Sequence, residues 1–416
     1  MFQKIQNYTK DTFSSFEVHN YRLYFFGQGI SLTGTWMQTI AQTWLVLELT
    51  HSGTAIGLLV AAQFLPILLL GPIGGVIADR FPKRKLLYIT QSSAMLLAFV
   101  LGLLVLTHVV QVWMVFVLAS MLGLVTVFDN PARQTFVVEM VGPERLINAV
   151  TLNGIALNLA RVIGPSVAAV LIAGVGMAYC FLLNAASYVV VLTSLALMHA
   201  SELHPAKHSE HIRGQLQEGL RYVWNHPVLR FTIFMLVIIG TFTYEFQVVM
   251  PLLASRTFHG GASTYALFMA AMSVGSVIGG VLAAGRLKAG QKSLVRASAL
   301  FGVCMLVSSL APGAQFEAVL LVGVGFGSII FSALANSTLQ LATSPEMRGR
   351  VMSLWAVAFL GTTPLGGPVV GWICDHASPR MGLAVGGVAA ILAAVVGWLS
   401  LRGERTSGVT TSPAVE

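Results

Sequence analysis

Along this chain, apolar and polar positions alternate on the scale of whole helices rather than of single residues. Twelve apolar runs are separated by short polar or basic breaks, near 22–49, 55–78, 86–107, 111–129, 148–174, 178–198, 230–254, 264–285, 293–312, 316–337, 350–373 and 383–402. Each approaches or exceeds about 20 residues, the length a helix needs to cross the hydrocarbon of a bilayer. The pattern predicts an all-α membrane protein of twelve transmembrane helices.

One stretch departs from it. Ser201 to Pro227 carries Lys207, Glu210, Arg213 and Glu218, while Ile212, Leu216, Leu220 and Val223 recur at helical spacing. That spacing predicts an amphipathic helix lying along the membrane interface. His204, His208 and His211 resemble a metal cluster by number, but with no Cys or further ligand they read as polar linker and no metal is expected. The stretch divides the spans six and six. The expected organisation is an N-terminal segment (1–21), a six-helix bundle (22–200), a linker (201–229), a second bundle (230–403) and a tail (404–416).

The two halves repeat. Gly34-Thr35-Trp36 returns as Gly240-Thr241-Phe242, and Gly74-Gly75-Val76-Ile77-Ala78 as Gly279-Gly280-Val281-Leu282-Ala283. Pro143-Glu144 returns as Pro345-Glu346 at a similar offset. A near-constant offset points to two pseudo-symmetric bundles, an architecture in which transporters place the substrate between the repeats.

Composition confirms the solvent. Hydrophobic residues make up 56% of the chain and charged residues 10%, against about 25% charged in soluble domains. A net charge of +8 raises nucleic acid as a partner, but the cations sit in short breaks between apolar runs, where bilayer topology explains them. With both termini in the cytoplasm, all of the 24 Lys and Arg residues except Arg161, Arg256 and Arg380 fall on that side. The expected location is therefore the cell membrane, multi-pass. Cys180, Cys304 and Cys374 lie in apolar runs without paired spacing and read as small buried hydrophobes. The first apolar run is too long for a signal-peptide core, so no cleaved signal is expected.

The second and third runs are joined by Gly74-Gly75-Val76-Ile77-Ala78-Asp79-Arg80-Phe81-Pro82-Lys83-Arg84-Lys85. This stretch resembles the cytoplasmic signature of the major facilitator superfamily: a glycine, an acid, then a basic cluster. Pro82 stands where that family usually has Gly. The resemblance implies a cytoplasmic gate formed by Gly75, Asp79, Arg80, Lys83 and Arg84, with Asp79 facing the start of the eleventh helix when that side is closed. In the second half Ala284 replaces Asp79, so the two gates are not equivalent. Gly164-Pro165, followed by Ala168-Ala169, resembles the fifth-helix motif of exporters in the superfamily, with alanines for its final glycines; a generic kinked, close-packed helix is the alternative. Asp129-Asn130-Pro131-Ala132-Arg133-Gln134, Phe181-Leu182-Leu183-Asn184-Ala185 and Arg348-Gly349-Arg350-Val351 resemble the enterobactin-exporter and macrolide-efflux branch. That resemblance implies drug or siderophore export driven by proton antiport.

Charges inside the spans are the sharpest candidates for chemistry. Arg161 lies deep in the fifth span and must face a cavity or a partner, since a central charge costs several kcal/mol; a structural tie to carbonyls or Asp129 is the plainer reading. Glu245 lies midway along the seventh span, opposite Thr39 in the repeat. A carboxyl there is a candidate proton carrier or counter-charge to a cationic substrate, against a protonated Glu that serves packing alone. Asp129 is the third candidate for proton coupling or substrate charge. Trp36, Gln38, Gln42, Asn158, Phe242 and Tyr244 are the expected substrate cavity.

Gly285 to Ser293 nearly spells a phosphate loop, but Gln291 intervenes before the lysine and no nucleotide domain follows. No catalytic motif is present in the sequence, and no enzyme activity or cofactor is expected. The partners implied are a small-molecule substrate, protons and the lipid bilayer, with the chain acting as a monomer. The leading function is a secondary active exporter of amphipathic small molecules. An uptake permease of the same fold and a non-transporting sensor or assembly partner remain alternatives. The topology is testable: a Cys at Ser209 in a Cys-free background reacts with an impermeant maleimide only from the cytoplasmic side, and reaction confined to the outside overturns the arrangement.

Overall fold

The computed structural model describes residues 14–204, 215–283, 289–344 and 346–406. Every regular element among them is helical. The main helices are α1 (His19–Thr50), α2 (Gly53–Arg80), α3 (Lys83–Leu106), α4 (Val112–Val141), α5 (Leu146–Gly174), α6 (Ala178–Leu197), α7 (Gln215–Asn225), α8 (Pro227–Phe242), α9 (Phe246–Leu252), α10 (Ala262–Ala283), α11 (Gln291–Ser308), α12 (Ala314–Leu341), α13 (Arg348–Leu360), α14 (Thr363–His376) and α15 (Pro379–Thr406).

Burial is inverted relative to a protein that folds in water. Ile89, Val170, Val281 and Val319 are exposed, whereas Gln38, Gln42, Gln91, Asp129 and Glu245 are buried. An apolar shell around a polar interior is what lipid demands, since the shell meets hydrocarbon and the polar groups are satisfied within. Ten helical stretches among the described residues are long and apolar enough to cross a membrane. The remaining two expected spans are helical but more polar. In α1 the buried Asn20, Gln28, Gln38 and Gln42 dilute the apolar face, and α11 is only 18 residues long and opens on Gln291-Lys292.

The seventh and eleventh spans, read from sequence as continuous, are both interrupted. Between α8 and α9 the chain turns at Thr243–Glu245, where Thr243 N–H and Tyr244 N–H both donate to the Ile239 carbonyl. Thr243 Oγ1 donates to the Gly386 carbonyl at 2.9 Å, which pins the break to α15. The eleventh span divides between α13 and α14 at Gly361-Thr362, just before Pro364. The fourth span runs on past its expected end at Asp129 to Val141, with Pro131 inside the helix.

The packing of the first six helices recurs in the later ones. Helix α2 lies on α4 as α10 lies on α12, and α3 on α6 as α11 on α15. The repeated glycines serve that recurrence: a side chain at Gly74 would collide with Val127 of α4, and one at Gly279 with Phe326 and Ile329 of α12. Between the halves, α2 packs on α14 and α5 on α10.

The linker helix α7 belongs with the second half. Glu218 pairs with Arg350 at 2.6 Å, and the Ser344 N–H donates to Tyr222 Oη at 3.3 Å. Val223 is buried while Leu220 and Trp224 are exposed, so this helix keeps a second apolar face outward. Ile212 and the side chain of Leu216, with Lys207, His208, Ser209, Glu210, His211 and Arg213, lie outside the described residues. So do Ala284, residues 285–288 of the Gly285–Ser293 stretch and Pro345.

Candidate functional site

A cavity of about 290 Å³ opens among α1, α2, α3, α4 and α6, with Gln247 of α9 closing it from the second half. Its wall is rich in carboxamides: Gln28, Gln38, Gln42, Gln63, Gln91 and Asn184 all reach it, beside Thr35, Trp36 and Tyr188. Polar side chains project here because α1 turns one continuous polar stripe inward, the same stripe that lowers its apolar character. Asn184 Nδ2 donates to Gln38 Oε1 at 2.7 Å, and Ser187 Oγ to Asn184 Oδ1 at 3.1 Å. These bonds orient the amides across α1 and α6.

Asp129 and Arg133 are the only charged residues on that wall among the described residues. They pair with each other one helical turn apart. Asp129 Oδ1 also accepts from Thr90 Oγ1 and Gln91 Nε2, both at 2.7 Å. The carboxylate is thus saturated by its own half, and the cavity wall carries no net charge.

Of the other expected cavity residues, Trp36, Gln38 and Gln42 are on the wall, whereas Asn158, Phe242 and Tyr244 are not. Asn158 Nδ2 bonds back to the Gly154 carbonyl. Phe242 ends α8, and Tyr244 packs on Phe301 and Phe359 and donates its hydroxyl to the Ser328 carbonyl at 2.7 Å.

Arg161 places its guanidinium 5.1 Å from the centre of the Trp36 ring. Its carbonyl has a separate role. Pro165, four residues on, has no N–H to donate, and the carbonyl so released accepts Ser273 Oγ of α10 at 3.0 Å. Gly164 brings α5 against α1: a Cβ there would stand 2.6 Å from the Trp36 Cβ. The Gly164-Pro165 pair therefore both fits α5 to its own half and ties it to the other.

Glu245 is buried at the break between α8 and α9. Its carboxyl fills space left by two glycines of α14; a Cβ at Gly366 would lie 2.8 Å from Oε1 and one at Gly367 3.4 Å from Oε2. Oε1 has no hydrogen-bond partner and, among the described residues, no cation pairs with the carboxyl.

The same helix seals one end of the molecule. Gly53 and Gly57 of α2 meet Gly371 and Gly367 of α14 with no space for a side chain; a Cβ at Gly371 would be 2.7 Å from the Gly53 carbonyl carbon. At the end of this seam Asp375 caps α2. It accepts from Gly53 N–H at 2.6 Å, Thr54 N–H at 2.8 Å, Thr54 Oγ1 at 2.8 Å and Ser52 Oγ at 2.9 Å. Arg256 pairs with Asp375 at 3.0 Å and donates to the His51 carbonyl at 2.5 Å. An anion thus meets the positive start of α2 while a cation meets the carbonyl following α1, both charges matched to helix ends. Trp44 of α1 stacks on Tyr265 of α10, 6.3 Å centre to centre, near the same end.

At the opposite end the halves are looser. Gly75 of α2 and Gly349 of α13 meet nothing within 4 Å of where a side chain would begin. Lys83 pairs with Glu139 at 3.5 Å and donates to the Asp79 carbonyl. Arg84 donates to the Leu195 and Ala196 carbonyls at the end of α6, while Arg80 is exposed. Lys83 and Arg84 thus bond within the first half in this conformation. Asp375, Arg256, Gln63 and Gln247 were not singled out as site residues from sequence. Ser52 before an apolar run is a capping signal, and Asp375 and Arg256 at span ends of like depth form an opposite-charge pair that could have drawn attention.

A family model described as transmembrane secretion effector matches residues 10–408. The enterobactin exporter EntS of Citrobacter koseri is 26% identical over 383 residues, covering 89% of each chain. The multidrug efflux pump Tap of Mycolicibacterium fortuitum is 27% identical over 357 residues, covering 83% of this chain and 86% of its own. A bacterial homolog of the human lysosomal transporter Spinster, solved inward-facing and unoccupied, shares the fold with a TM-score of 0.72 at 13% identity, over 94% of this chain and 98% of its own.

The buried ion pair of the cavity wall gives a measurable prediction. Removing one partner of such a pair costs about 3–5 kcal/mol, and the lower end applies here because Arg133 is partly exposed. Asp129→Ala should lower Tm in detergent markedly, and Asp129→Ala with Arg133→Ala should lower it by less than the sum of the singles. Strict additivity would show that the two charges do not support each other.

Proposed function

The chain belongs to the transmembrane secretion effector family of the major facilitator superfamily, and on that premise we propose that it exports amphipathic small molecules of the drug or siderophore class across the cytoplasmic membrane. The observation that carries this reading is a carboxamide-lined cavity inside an apolar shell, sealed at one end and loose at the other. Export rather than uptake is favoured by relatives that are themselves an exporter and an efflux pump.

The reading takes the chain as twelve spans in two six-helix bundles, 22–200 and 230–403, with both termini and the 201–229 linker cytoplasmic. The recurring helix pairs support it. The end closed by Asp375 is then the outer face, and the conformation is inward-facing, with the end near Gly75 and Gly349 the looser one. Transport proceeds by alternating access: the α2–α14 seam parts when the cytoplasmic gate closes.

Glu245 is the coupling carboxyl in this scheme. With no cation paired to it among the described residues and with an orphan oxygen, it tolerates the sealed state only when a proton neutralises it, since an unpaired buried charge costs several kcal/mol. Substrate loading from the cytoplasm accompanies loss of that proton. The resulting charge presses on the glycine face of α14, and that cost is relieved when α14 leaves α2 and water enters from outside. A proton taken up there restores the seal. The coupling ion thus acts on the helix that carries the latch.

Two experiments test the scheme. Glu245→Gln, a fixed neutral side chain, should bind substrate yet abolish efflux from proteoliposomes under an imposed proton gradient; full gradient-driven efflux removes Glu245 from the coupling role. Charged hydrogen bonds contribute roughly 1.5–3 kcal/mol each, so Asp375→Asn should shift the resting balance outward by on the order of 10-fold. Labelling of a Cys at Gln42 by an external maleimide would accelerate accordingly, and an unchanged rate would deny the latch its role.

A further inference from the structure

Resting on the exporter reading, we propose that the substrate carries an acid group, a carboxylate on an aromatic or amphipathic body, and that Arg161 on the Trp36 ring binds it. The charges around the cavity do not balance. Asp129 and Arg133 cancel on the wall, and the other polar groups there are neutral carboxamides and hydroxyls. Arg161 is different. No carboxylate pairs with it among the described residues, and its Nε, like that of Arg133, is buried without an acceptor.

Its neighbours do not compensate the charge. Trp36 offers its π face, which contributes about 0.5–2 kcal/mol to a cation. Tyr244 of the second half commits its hydroxyl proton to the Ser328 carbonyl and remains a neutral phenol. Ser273 bonds to the Arg161 carbonyl rather than to its side chain. A cation at the middle of a span costs more than the ring returns, so the site lacks one negative charge.

The guanidinium is not itself on the cavity wall but sits behind it, against the Trp36 ring. Trp36 and Leu157, the latter one turn before Arg161 on α5, are both on the cavity wall, so the cation is one ring away from the bound substrate. A planar guanidinium stacked on an aromatic keeps its edge donors for an incoming carboxylate and can meet it with two parallel hydrogen bonds. The carboxamides would then hold the uncharged remainder of the molecule without selecting its charge.

The backbone role of Arg161 makes the test clean, because Arg161→Gln keeps the carbonyl that receives Ser273. The probes are matched pairs differing only in charge: 1-naphthoate and 1-naphthamide, and decanoate and decanamide. Binding is measured by calorimetry on the full chain in nanodiscs, with an unchanged Tm of the variant as the folding control. At least one carboxylate should bind the unaltered protein about 10-fold or more tighter than its amide; Arg161→Gln should abolish that preference and Arg161→Lys restore part of it. Equal binding within both pairs, no binding of either carboxylate, or a preference that survives Arg161→Gln overturns the proposal. Vesicle efflux of the same probes separates it from the exporter reading. Charge-selective binding without efflux of any probe leaves the acid site standing and counts against export, whereas efflux of amides alone does the reverse.

Discussion

Backbone can lie against backbone only where neither helix carries a side chain, and one end of this molecule depends on that constraint. Gly53 and Gly57 of α2 and Gly367 and Gly371 of α14 clear the space, and Asp375 then reaches the unsatisfied N–H groups that open α2. Neither feature would suffice alone. The glycines allow contact but give it little direction, while the carboxylate gives direction but needs the close approach. Arg256 completes the set by holding the carbonyl end of the preceding helix through His51. Several charge-assisted hydrogen bonds on one short turn amount to a few kcal/mol, comparable with the roughly 5.5 kcal/mol that moves a two-state balance from one extreme to the other.

A second theme is the use of proline to release carbonyls. Pro165 frees the Arg161 carbonyl, and a hydroxyl of the opposite half takes it. The break near Gly361 precedes Pro364 in the same way, and it lies close to the break at Thr243–Glu245: Gly366 lies against both the Thr241 carbonyl and the Glu245 carboxyl. Interrupted helices at corresponding depths place irregular backbone only where protein surrounds it, as hydrocarbon would not satisfy those groups.

Most of the fold was legible in the sequence because membrane burial depends on composition over long windows, which needs no knowledge of partners. The helix breaks were not, since Thr243–Glu245 carries no glycine or proline to mark a stop, and Gly361 and Pro364 are equally compatible with a continuous span that neighbours re-satisfy. Gln38 and Gln42 were recognisable as polar residues inside an apolar run, Asp129 as a charge at the end of one, and Trp36 as an aromatic beside the two glutamines. Phe242 and Tyr244, chosen for their aromatic character, pack instead among Phe301 and Phe359, because nothing in a one-dimensional pattern says which face of a broken helix turns inward. The latch was the least legible part. Asp375 and Gly53 stand 322 positions apart, and an acid at the end of a span looks like any solvated terminus until its partner is known.

The glycine seam and the amide-lined wall also divide the chain by tolerance to change. A glycine in backbone contact has no acceptable substitute, for even one added carbon collides with the facing main chain. The wall of the cavity is different, for its contacts run through side chains: Asn184 with Gln38, Asp129 with Arg133, and Trp36 against Gly164. A change at the seam therefore acts on how the molecule closes, whereas a change on the wall acts on what it can hold.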